Sequence, residues 1–484
     1  MATPMRCLSV SLSLAALAAC SPANQPENRK RPNVLLIVVD TLRADRVSAY
    51  GYERETTPVL DALAAQGVLA SDVTAQASWT MPSMVSMLQG RYVTSYRDVF
   101  FEDTPTLAEA FQGAGYHTLG IVGNGLLSKK AGFDRGFDHY EARSKKIGQE
   151  GRTLPAREAA ELIGDATAPL SQATQLDDEG EQIPFFAYIH LMDPHGPYKA
   201  HPEWEEQLPV TAGANNWNQQ TQRQAYEATH PNAVAQPGTW REMAEDRARY
   251  DQEVYTGDAY IGIVLKFLEQ RGALENTIVA VVSDHGEGLW DHVSPPEGLN
   301  AKATPREYFF RPHGKVLYEE VIATPMILKG PGIPAGHRIE SPAENVDLFP
   351  TLLELCDLAK PDGLHGQSLV PAMHGEETGR EHSFSSVDMF CSSVRTASEG
   401  WKLIVPTEHF PKRKVELFDI RTDPSELKNL AEAQPEVVAR LRATLDEWTA
   451  AHPTQTNLGQ KKDQQTLDDL KALGYAEGEE EQSD

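Results

Sequence analysis

Acidic and imidazole side chains follow three separate apolar runs of the sequence. Asp40 ends the first run, and His190 ends another, shortly before His195. Asp284 and His285 follow a further run. Because the working residues of a parallel sheet collect at the carboxyl ends of its strands, this pattern predicts one shared site. Carboxylates and imidazoles are groups that transfer protons or bind cations.

A hydroxyl group stands close to the predicted start of a helix. Pro82 suits a first helical turn, where its missing N–H would have no partner, so Thr80 is expected at or beside the N-terminus. The exposed N–H groups and the positive end of the helix dipole stabilise anions there. A hydroxyl at this place becomes a nucleophile if it also touches a metal. A plain N-cap is the alternative interpretation of an isolated Thr-x-Pro.

The elements that must position these groups alternate between strands and helices. The apolar run at 34–39 is typical of a strand buried on both faces. Similar runs lie at 117–123, 184–191, 277–283 and 325–328. Helical patterns cover 57–66, 82–89, 106–113 and 243–270. The alternation predicts an α/β fold with a mostly parallel sheet that helices cover on both faces.

Shorter elements follow residue 358, so a domain change is expected near residue 360. Residues 360–452 are expected to form a smaller C-terminal α+β subdomain. Residues 453–484 form a polar, acidic tail that is expected to be solvated.

The charge of the chain is strongly negative. Its 484 residues include 44 Lys and Arg against 70 Asp and Glu, which gives a formal charge of −26. This balance argues against a nucleic-acid partner, because phosphate backbones attract positive surfaces. It does not exclude a small anionic substrate, since one local metal ion can outweigh the global charge.

The N-terminus has the pattern of a secretion signal. Residues 1–19 contain a short apolar run that ends in Leu17-Ala-Ala-Cys20, which resembles the lipobox of bacterial lipoproteins. Lipidation of Cys20 would anchor a domain through the tether 20–31, at the periplasmic face of the cell envelope. The non-acidic Ser21 favours the outer membrane. The alternative is a plain secretory signal with an incidental Cys.

Two further cysteines would share this oxidising compartment. Cys356 and Cys391 could form a disulfide or remain two separate buried thiols. Their spacing matches no zinc motif.

The segment around Thr80 resembles the active-site motif of the sulfatase family, Cys/Ser-x-Pro-x-Arg with a downstream Gly-Arg-Tyr. The resemblance extends over most of the chain and places the catalytic domain at 32–359. It implies an alkaline phosphatase-like three-layer α/β sandwich with a smaller C-terminal subdomain. Other stretches that resemble the family are 33–45, 56–64, 132–138, 190–198, 283–287, 313–320 and 417–424.

The resemblance implies one divalent metal ion, Ca, Mg, Mn or Zn. Asp40, Asp284 and His285 would be its ligands, and the Thr80 oxygen would be a further ligand. Oxygen and imidazole donors suit any of these cations.

The resemblance also implies residues that act on the substrate. His195 and His313 would be general acids or hydrogen-bond donors. Lys315 would bind a non-bridging oxygen as a point charge. Asn124 and His190 lie where substrate-binding side chains are expected; packing at a strand end or a turn is the alternative for both.

The match fails at the nucleophile. Sulfatases convert a Cys or Ser at the first position of the motif to formylglycine, but Thr80 occupies that position here. Met84 replaces the Arg of the motif, and Thr41 replaces a second Asp that usually follows the first. A sulfated Thr cannot expel sulfate by collapsing to an aldehyde and must be attacked at sulfur. A phosphorylated Thr can be resolved by in-line attack of water beside a metal.

Three functions therefore compete. The first is hydrolysis of phosphate mono- or diesters by in-line attack of a metal-bound Thr80, with His195 or His313 protonating the leaving oxygen. The second is a true sulfatase without formylglycine. The third is a non-catalytic lipoprotein that binds anions or glycans. Retention of the charged set Asp40, Asp284 and His285 argues against the third, because a mere scaffold has no need of such a costly cluster.

Two long loops are expected to decide specificity. They cover 200–249 and 286–311 and contain several aromatic residues, including Trp204, Trp217 and Trp240. These aromatics either stack on a sugar or lipid headgroup of an anionic ester substrate or pack on each other. No nucleic-acid partner is expected, and contact with the membrane is expected only through the lipid anchor.

Overall fold

The computed structural model describes residues 31–93, 100–142, 145–147, 152–154, 158–175, 182–211, 223–224, 226–228, 237–294, 304–309, 313–387 and 390–453. The predicted signal peptide, Cys20, almost all of the tether and the tail beyond residue 453 lie outside these ranges. Within them, no helix combines the length and the apolar character that crossing a membrane requires.

The strands, in chain order, are β1 (Asn33–Val39), β2 (Val68–Ala70), β3 (Val73–Thr74), β4 (His117–Val122), β5 (His139–Ala142), β6 (Lys145–Ile147), β7 (Arg152–Leu154), β8 (Phe185–Leu191), β9 (Thr277–Val282), β10 (Met326–Lys329), β11 (His337–Ile339), β12 (Ala343–Glu344), β13 (His382–Val387), β14 (Cys391–Thr396), β15 (Trp401–Pro406) and β16 (Glu416–Asp419).

The α-helices described are α1 (Pro58–Gln66), α2 (Thr80–Gln89), α3 (Leu107–Gly113), α4 (Ala159–Ala173), α5 (Pro237–Gln270), α6 (Pro305–Tyr308), α7 (Glu319–Ile322), α8 (Leu348–Leu355), α9 (Val370–Met373) and α10 (Pro435–Ala451). Short 3₁₀ turns span Ala44–Arg46, Ser48–Tyr50, Lys129–Ala131, Pro202–Trp204, Leu274–Asn276 and Asn345–Asp347.

An eight-stranded sheet forms the centre, in the order β11-β2-β10-β9-β1-β8-β4-β5. Its pairs are parallel except where β10 meets β9 and β2. The predicted mostly parallel sheet is therefore confirmed. The short apolar run at 325–328 forms the strand that runs in the opposite direction, which a local pattern does not reveal.

Strand β1 shows why the sheet has three layers. Its side chains point alternately to opposite faces: Leu35 and Ile37 enter one apolar cluster, and Leu36 and Val38 enter the other. Helices α1, α4 and α5 pack on the first face, whereas α2, α3 and α8 pack on the second. Both faces of the sheet are buried under helices, which requires the continuous apolar run of β1. The predicted α/β sandwich is therefore confirmed.

The C-terminal part is an antiparallel sheet of β13, β14, β15 and β16 with α10 packed against it. One face of α10 buries Leu441, Leu445 and Trp448 against Val394 and Leu403. The three helix residues recur at the spacing of an amphipathic helix. The predicted α+β character of this part is confirmed.

The two cysteines are separate thiols. Cys356 ends α8 and Cys391 begins β14, and both are buried. The disulfide alternative is therefore wrong. Their burial in the larger apolar cluster explains them as small hydrophobic residues.

Candidate active site

Asp40 is the first residue after β1 and lies between the ends of two neighbouring strands. Its N–H donates to the carbonyl oxygen of Leu191 at the end of β8, at 2.9 Å. The Asn124 amide donates to Asp40 Oδ2 at 2.9 Å, and His190 Nε2 lies 3.1 Å from the same oxygen. The Tyr188 hydroxyl lies 2.8 Å from His190 Nδ1 and holds the ring in place. One oxygen of Asp40 is thus fully supported.

Asp284 and His285 follow β9, the other neighbour of β1. The N–H groups of Thr41 and His285 donate to Asp284 Oδ1 at 3.3 and 2.9 Å. His285 Nδ1 lies 2.8 Å from the Gly286 carbonyl oxygen, which places the ring proton on Nδ1. His285 Nε2 therefore presents a lone pair, 3.3 Å from Asp284 Oδ2 and 3.7 Å from Asp40 Oδ1.

These three residues fit a divalent cation. Asp40 Oδ1 and Asp284 Oδ2 are buried and accept no hydrogen bond from the described residues. One ligand atom from each of Asp40, Asp284 and His285 lies within 4.8 Å of the others. A buried carboxylate oxygen without a donor is costly unless a cation balances it. The predicted ligand set is therefore brought together, with the chemistry that a metal site needs.

The electrostatics of the cluster agree with this fit. Burial, together with the nearby charge of Asp40, raises the pKa of Asp284 well above its usual range. Burial also lowers the pKa of His285 to about 3, so this imidazole is neutral and able to coordinate. Two buried carboxylates at this separation cannot both ionise without a compensating positive charge.

Thr80 is the first residue of α2, and its hydroxyl turns toward the cluster. Its Oγ lies 3.4 Å from Asp40 Oδ2 and 3.3 Å from His285 Nε2. The N-cap residue of α2 is the extended Trp79, and no side chain caps the helix. The plain N-cap interpretation of Thr80 is therefore wrong. The hydroxyl occupies an anion-stabilising helix N-terminus beside the candidate ligands.

His195 and His313 stand next to each other beside the cluster. Their ring centroids are 5.0 Å apart, and the His313 ring is 4.5 Å from that of His285. His313 Nδ1 lies 2.9 Å from Glu287 Oε1, and both residues are buried. His195 Nδ1 bonds the adjacent carbonyl at 2.8 Å, and burial lowers the pKa of this ring. Both imidazoles are thus positioned by their Nδ1 atoms.

The remaining predicted residues are placed less directly. Asn124 and His190 direct polar atoms at Asp40, so the structure gives them a supporting contact with a candidate metal ligand; substrate binding stays a prediction for both. Lys315 is half-buried two residues after His313. The Arg413 guanidinium donates to the Lys315 carbonyl oxygen at 2.6 Å and anchors this stretch of backbone.

Sequence patterns missed several residues that hold the ligands. Thr41 has a φ of 58°, in the left-handed region, and its carbonyl accepts the Tyr250 hydroxyl at 2.8 Å. The Ser83 hydroxyl donates to the Asp284 carbonyl at 2.5 Å, which links α2 to the ligand loop. The Asn345 amide donates to the Ser283 carbonyl at 2.9 Å. For Thr41, the sequence did contain a signal, because this residue replaces an Asp of the family motif.

Four aromatic residues from the two regions that were predicted to be long loops pack on each other. Trp240, Trp290, Tyr308 and Phe309 form one buried cluster. This favours the packing alternative over stacking on a sugar for these four side chains. Trp217 lies outside the described residues.

Comparison with known proteins supports the resemblance. The family described as "Sulfatase" matches residues 32–358, and the family described as "N-sulphoglucosamine sulphohydrolase, C-terminal" matches residues 309–451. A delta 4,5-hexuronate-2-O-sulfatase of Bacteroides thetaiotaomicron is 26% identical, over 89% of this chain and 91% of that protein. Human arylsulfatase K is 23% identical, over 89% of this chain and 84% of its own length.

Two solved structures share the fold. One is a complex with its substrate D-glucosamine-2-N,6-O-disulfate, with a TM-score of 0.66 and 20% identity over 87% of this chain and 98% of the other. The second is the phosphonate monoester hydrolase of Agrobacterium radiobacter, with a TM-score of 0.65 and 20% identity over 90% of this chain and 99% of the other. These relatives hydrolyse ester bonds. The chain is accordingly an ester-bond hydrolase, and it belongs to the sulfatase family.

Proposed function

We propose that this hydrolase cleaves phosphate monoesters or diesters with Thr80 as its nucleophile. The observation that carries the proposal is the Thr80 hydroxyl at the N-terminus of α2, 3.4 Å from Asp40 and 3.3 Å from His285. A Thr in this slot cannot form the aldehyde that releases sulfate, whereas a phosphothreonine can be hydrolysed at phosphorus. The shared fold with a phosphonate monoester hydrolase is compatible with this chemistry.

The reaction is expected to take two steps. In the first, Thr80 Oγ, whose proton passes to solvent, bonds to phosphorus, while the bond to the leaving oxygen breaks and a protonated His195 or His313 gives that oxygen a proton. In the second, the same imidazole takes a proton from water as the water oxygen attacks phosphorus, the bond to Thr80 breaks, and Thr80 Oγ regains a proton from solvent. Lys315 binds a non-bridging oxygen in both steps.

Asp40, Asp284 and His285 would hold one divalent cation in this site. When bound, the cation would offset the charge of the anionic ester and of the Thr80 oxygen. Asn124 and His190 keep the Asp40 carboxylate oriented by their contacts with Oδ2. This support matters because displaced ligands lose affinity and turnover.

A second candidate function is hydrolysis of sulfate esters. Sulfatase relatives that align over most of the chain favour it, as does the neighbour whose substrate is a disulfated glucosamine. With Thr80 in the nucleophile slot, any sulfated intermediate would have to be attacked at sulfur.

A panel of esters tests both functions. We would assay 4-nitrophenyl phosphate, bis(4-nitrophenyl) phosphate, 4-nitrophenyl sulfate and glucosamine-6-sulfate on metal-analysed protein. Thr80→Ala is expected to lower phosphoesterase turnover by about a thousandfold or more, because the nucleophile is lost. Thr167→Ala, in α4, is the matched control and is expected to keep wild-type turnover.

The outcomes separate the candidates. Full phosphoesterase activity of Thr80→Ala with unaltered metal content would overturn the proposed nucleophile. Faster turnover of sulfate than of phosphate esters would replace the first function by the second.

We further propose that Cys20 is lipidated and anchors the enzyme at the periplasmic face of the outer membrane. The support is the Leu17–Cys20 motif followed by Ser21. Expressed in a diderm bacterium, the full chain is expected in the outer-membrane fraction, and Cys20→Ser in the soluble fraction. Equal distribution of both proteins would contradict the anchor.

A further inference from the structure

A cavity of about 320 Å³ lies next to the segment that follows Lys315. Val316, Leu317 and Tyr318 form one part of its lining. The connection between β15 and β16 forms another part and contributes Lys412, Arg413 and Lys414. The cavity therefore joins the catalytic part of the chain to the C-terminal sheet.

One stretch of backbone links this cavity to the candidate active site. The Ser78 hydroxyl donates to the Val316 carbonyl at 2.7 Å, and Thr80 follows Ser78 by two residues. The Arg413 guanidinium donates to the Lys315 carbonyl at 2.6 Å. Lys315 and Val316 are thus held between the Thr80 segment and the basic connection.

The charge of the cavity is opposite to that of the whole chain. Three consecutive basic residues line it, although the net charge of the protein is −26. The Arg413 guanidinium is fixed over the rings of Phe390 and Phe410, at 5.1 and 5.0 Å from their centroids. Lys412 and Lys414 are exposed, so their ammonium groups can adjust to a ligand.

The lining also contains one carboxylate. Glu416 accepts the Tyr318 hydroxyl at 3.1 and 3.2 Å from its two oxygens. Burial raises the pKa of Glu416, which weakens the negative charge that it contributes. Glu432 Oε1 lies 4.0 Å from Lys414 Nζ at the exposed surface, so the three cations still outnumber the nearby acids, and the cavity favours anions.

We propose that this cavity binds a second, non-reacting anionic group of the ester substrate. The inference rests on the proposed function, since the reacting ester would occupy the Thr80 site. The class of substrate is an ester that carries a further carboxylate, sulfate or phosphate group on the same molecule. The local positive charge opposes the repulsion of such a molecule by the acidic body.

Equilibrium binding tests the proposal without turnover. In a Thr80→Ala background, we would titrate a heparin-derived tetrasaccharide, which carries carboxylate and sulfate groups, by calorimetry at low salt. Lys412→Ala/Lys414→Ala is expected to raise Kd by about tenfold or more, because two charge-assisted contacts are lost. Lys266→Ala on α5 combined with Arg271→Ala, the residue directly after α5, removes the same charge from the opposite face of the sheet and is expected to change Kd by less than about twofold.

Equal Kd values for the two double variants would overturn the proposal. A loss restricted to Lys412→Ala/Lys414→Ala would support it. The ester panel decides the proposed function separately, because tetrasaccharide binding is measured with the nucleophile already removed. If the enzyme is inactive on every ester but Lys412→Ala/Lys414→Ala alone weakens binding, the proposed function is contradicted and the proposed anion site is supported.

Discussion

Asp40 and Asp284 are buried carboxylates that share the neighbourhood of one neutral imidazole, His285. Each carboxylate has one oxygen satisfied by hydrogen bonds, while the other oxygen accepts none from the described residues. Two charges would repel each other in a site of low dielectric constant, so without a cation burial and the charge of Asp40 favour the protonated form of Asp284. The cluster therefore destabilises the metal-free protein, and binding of a cation would stabilise it.

This repulsion predicts the behaviour of Asp284→Asn. Without metal, the variant is expected to melt at the same temperature as the wild type or higher, because an amide replaces a buried carboxyl group that ionises only against the charge of Asp40. Saturating Ca²⁺ or Mn²⁺ is expected to stabilise the wild type, by about 2.7 kcal/mol at a hundredfold excess over Kd, and to stabilise the variant far less. Scanning calorimetry with chelator or metal measures both effects.

Exposed Asp362→Asn is the control for this experiment and should respond to metal like the wild type. An equal metal-induced rise of Tm in Asp284→Asn would contradict the assigned ligand set.

Glu287 acts on the site through His313. Its Oε1 lies 2.9 Å from His313 Nδ1, so it orients the ring and fixes the proton on Nδ1. Glu287→Gln is expected to lower kcat about 10–100-fold for phenyl phosphate and less for 4-nitrophenyl phosphate, because a good leaving group needs less help from an acid. The measurement is kcat across a series of aryl phosphates. The same loss for every leaving group would mean that Glu287 has only a structural role.

The order of strands brings the ligands together. Strand β1 lies between β9 and β8, so the residues that follow these three strands meet at one edge of the sheet. Residues distant in the chain then become neighbours: the Asp40 N–H bonds the Leu191 carbonyl, and the Thr41 N–H bonds Asp284. The helix α2 adds Thr80 from the layer above.

Close packing of the ligand loop on α7 requires a glycine. A Cβ built on Gly286 would lie 2.0 Å from the Glu320 carbonyl oxygen, a rigid backbone atom. Gly286→Ala is therefore expected to displace the loop that carries His285, with loss of metal binding and a stability cost of at least about 2 kcal/mol.

Gly164→Ala in α4 is the matched change, since a Cβ there meets nothing within 4 Å. It is expected to stabilise the protein by up to about 1 kcal/mol, because Ala favours helix more than Gly does. Urea unfolding measures both variants. Equal stability of the two variants would refute the packing argument.

Buried ion pairs connect the catalytic part to the C-terminal sheet. The Lys402 ammonium on β15 lies 2.9 Å from Glu319 Oε1 and 2.8 Å from Glu426 Oε1. His292 Nδ1 lies 2.6 Å from Glu320 Oε1, and its Nε2 lies 3.2 Å from the Glu426 carbonyl oxygen. The two parts of the molecule are thus joined by charges as well as by apolar packing.

This network predicts a dependence of stability on pH. Although burial disfavours the charged imidazole, Glu320 raises the pKa of His292 from 6.5 to about 9. The folded state therefore holds this proton more tightly than the unfolded chain. The stability that His292 contributes is fully present below pH 6.5 and is lost as the pH rises through about 9.

Urea unfolding between pH 6 and 10 measures this contribution as the difference between wild type and His292→Gln. The difference in unfolding free energy is expected to shrink by up to about 1.4 kcal/mol per pH unit across that window. Exposed His374→Gln should follow the wild type at every pH. A difference that stays constant with pH would show that His292 does not hold an extra proton in the folded state.

Local patterns were sufficient for the principal elements and for the types of chemical group at the site. The long strands β1, β4, β8 and β9 follow from continuous apolar runs, because a strand buried on both faces cannot alternate with polar residues. The short strands β2 and β11 contain three residues each, too few for a periodic signal. The reversed direction of β10 was also hidden, since a strand has the same composition in either direction.

The sequence alone identified Asp40, Thr80, Asp284 and His285 as reactive side chains at the end of a strand or the start of a helix. It could do so because local sequence patterns mark both buried strands and helix starts. Their partners depended on tertiary structure. Contacts such as His190 with Asp40 join residues 150 positions apart, and which strands become neighbours is decided by packing of the whole sheet. The basic cavity has the same origin, because Lys412 and Arg413 reach the Lys315 segment only when the C-terminal sheet docks. The residue types therefore predict the chemical groups of the site, whereas long-range contacts decide how these groups are oriented and which residues line the neighbouring cavity.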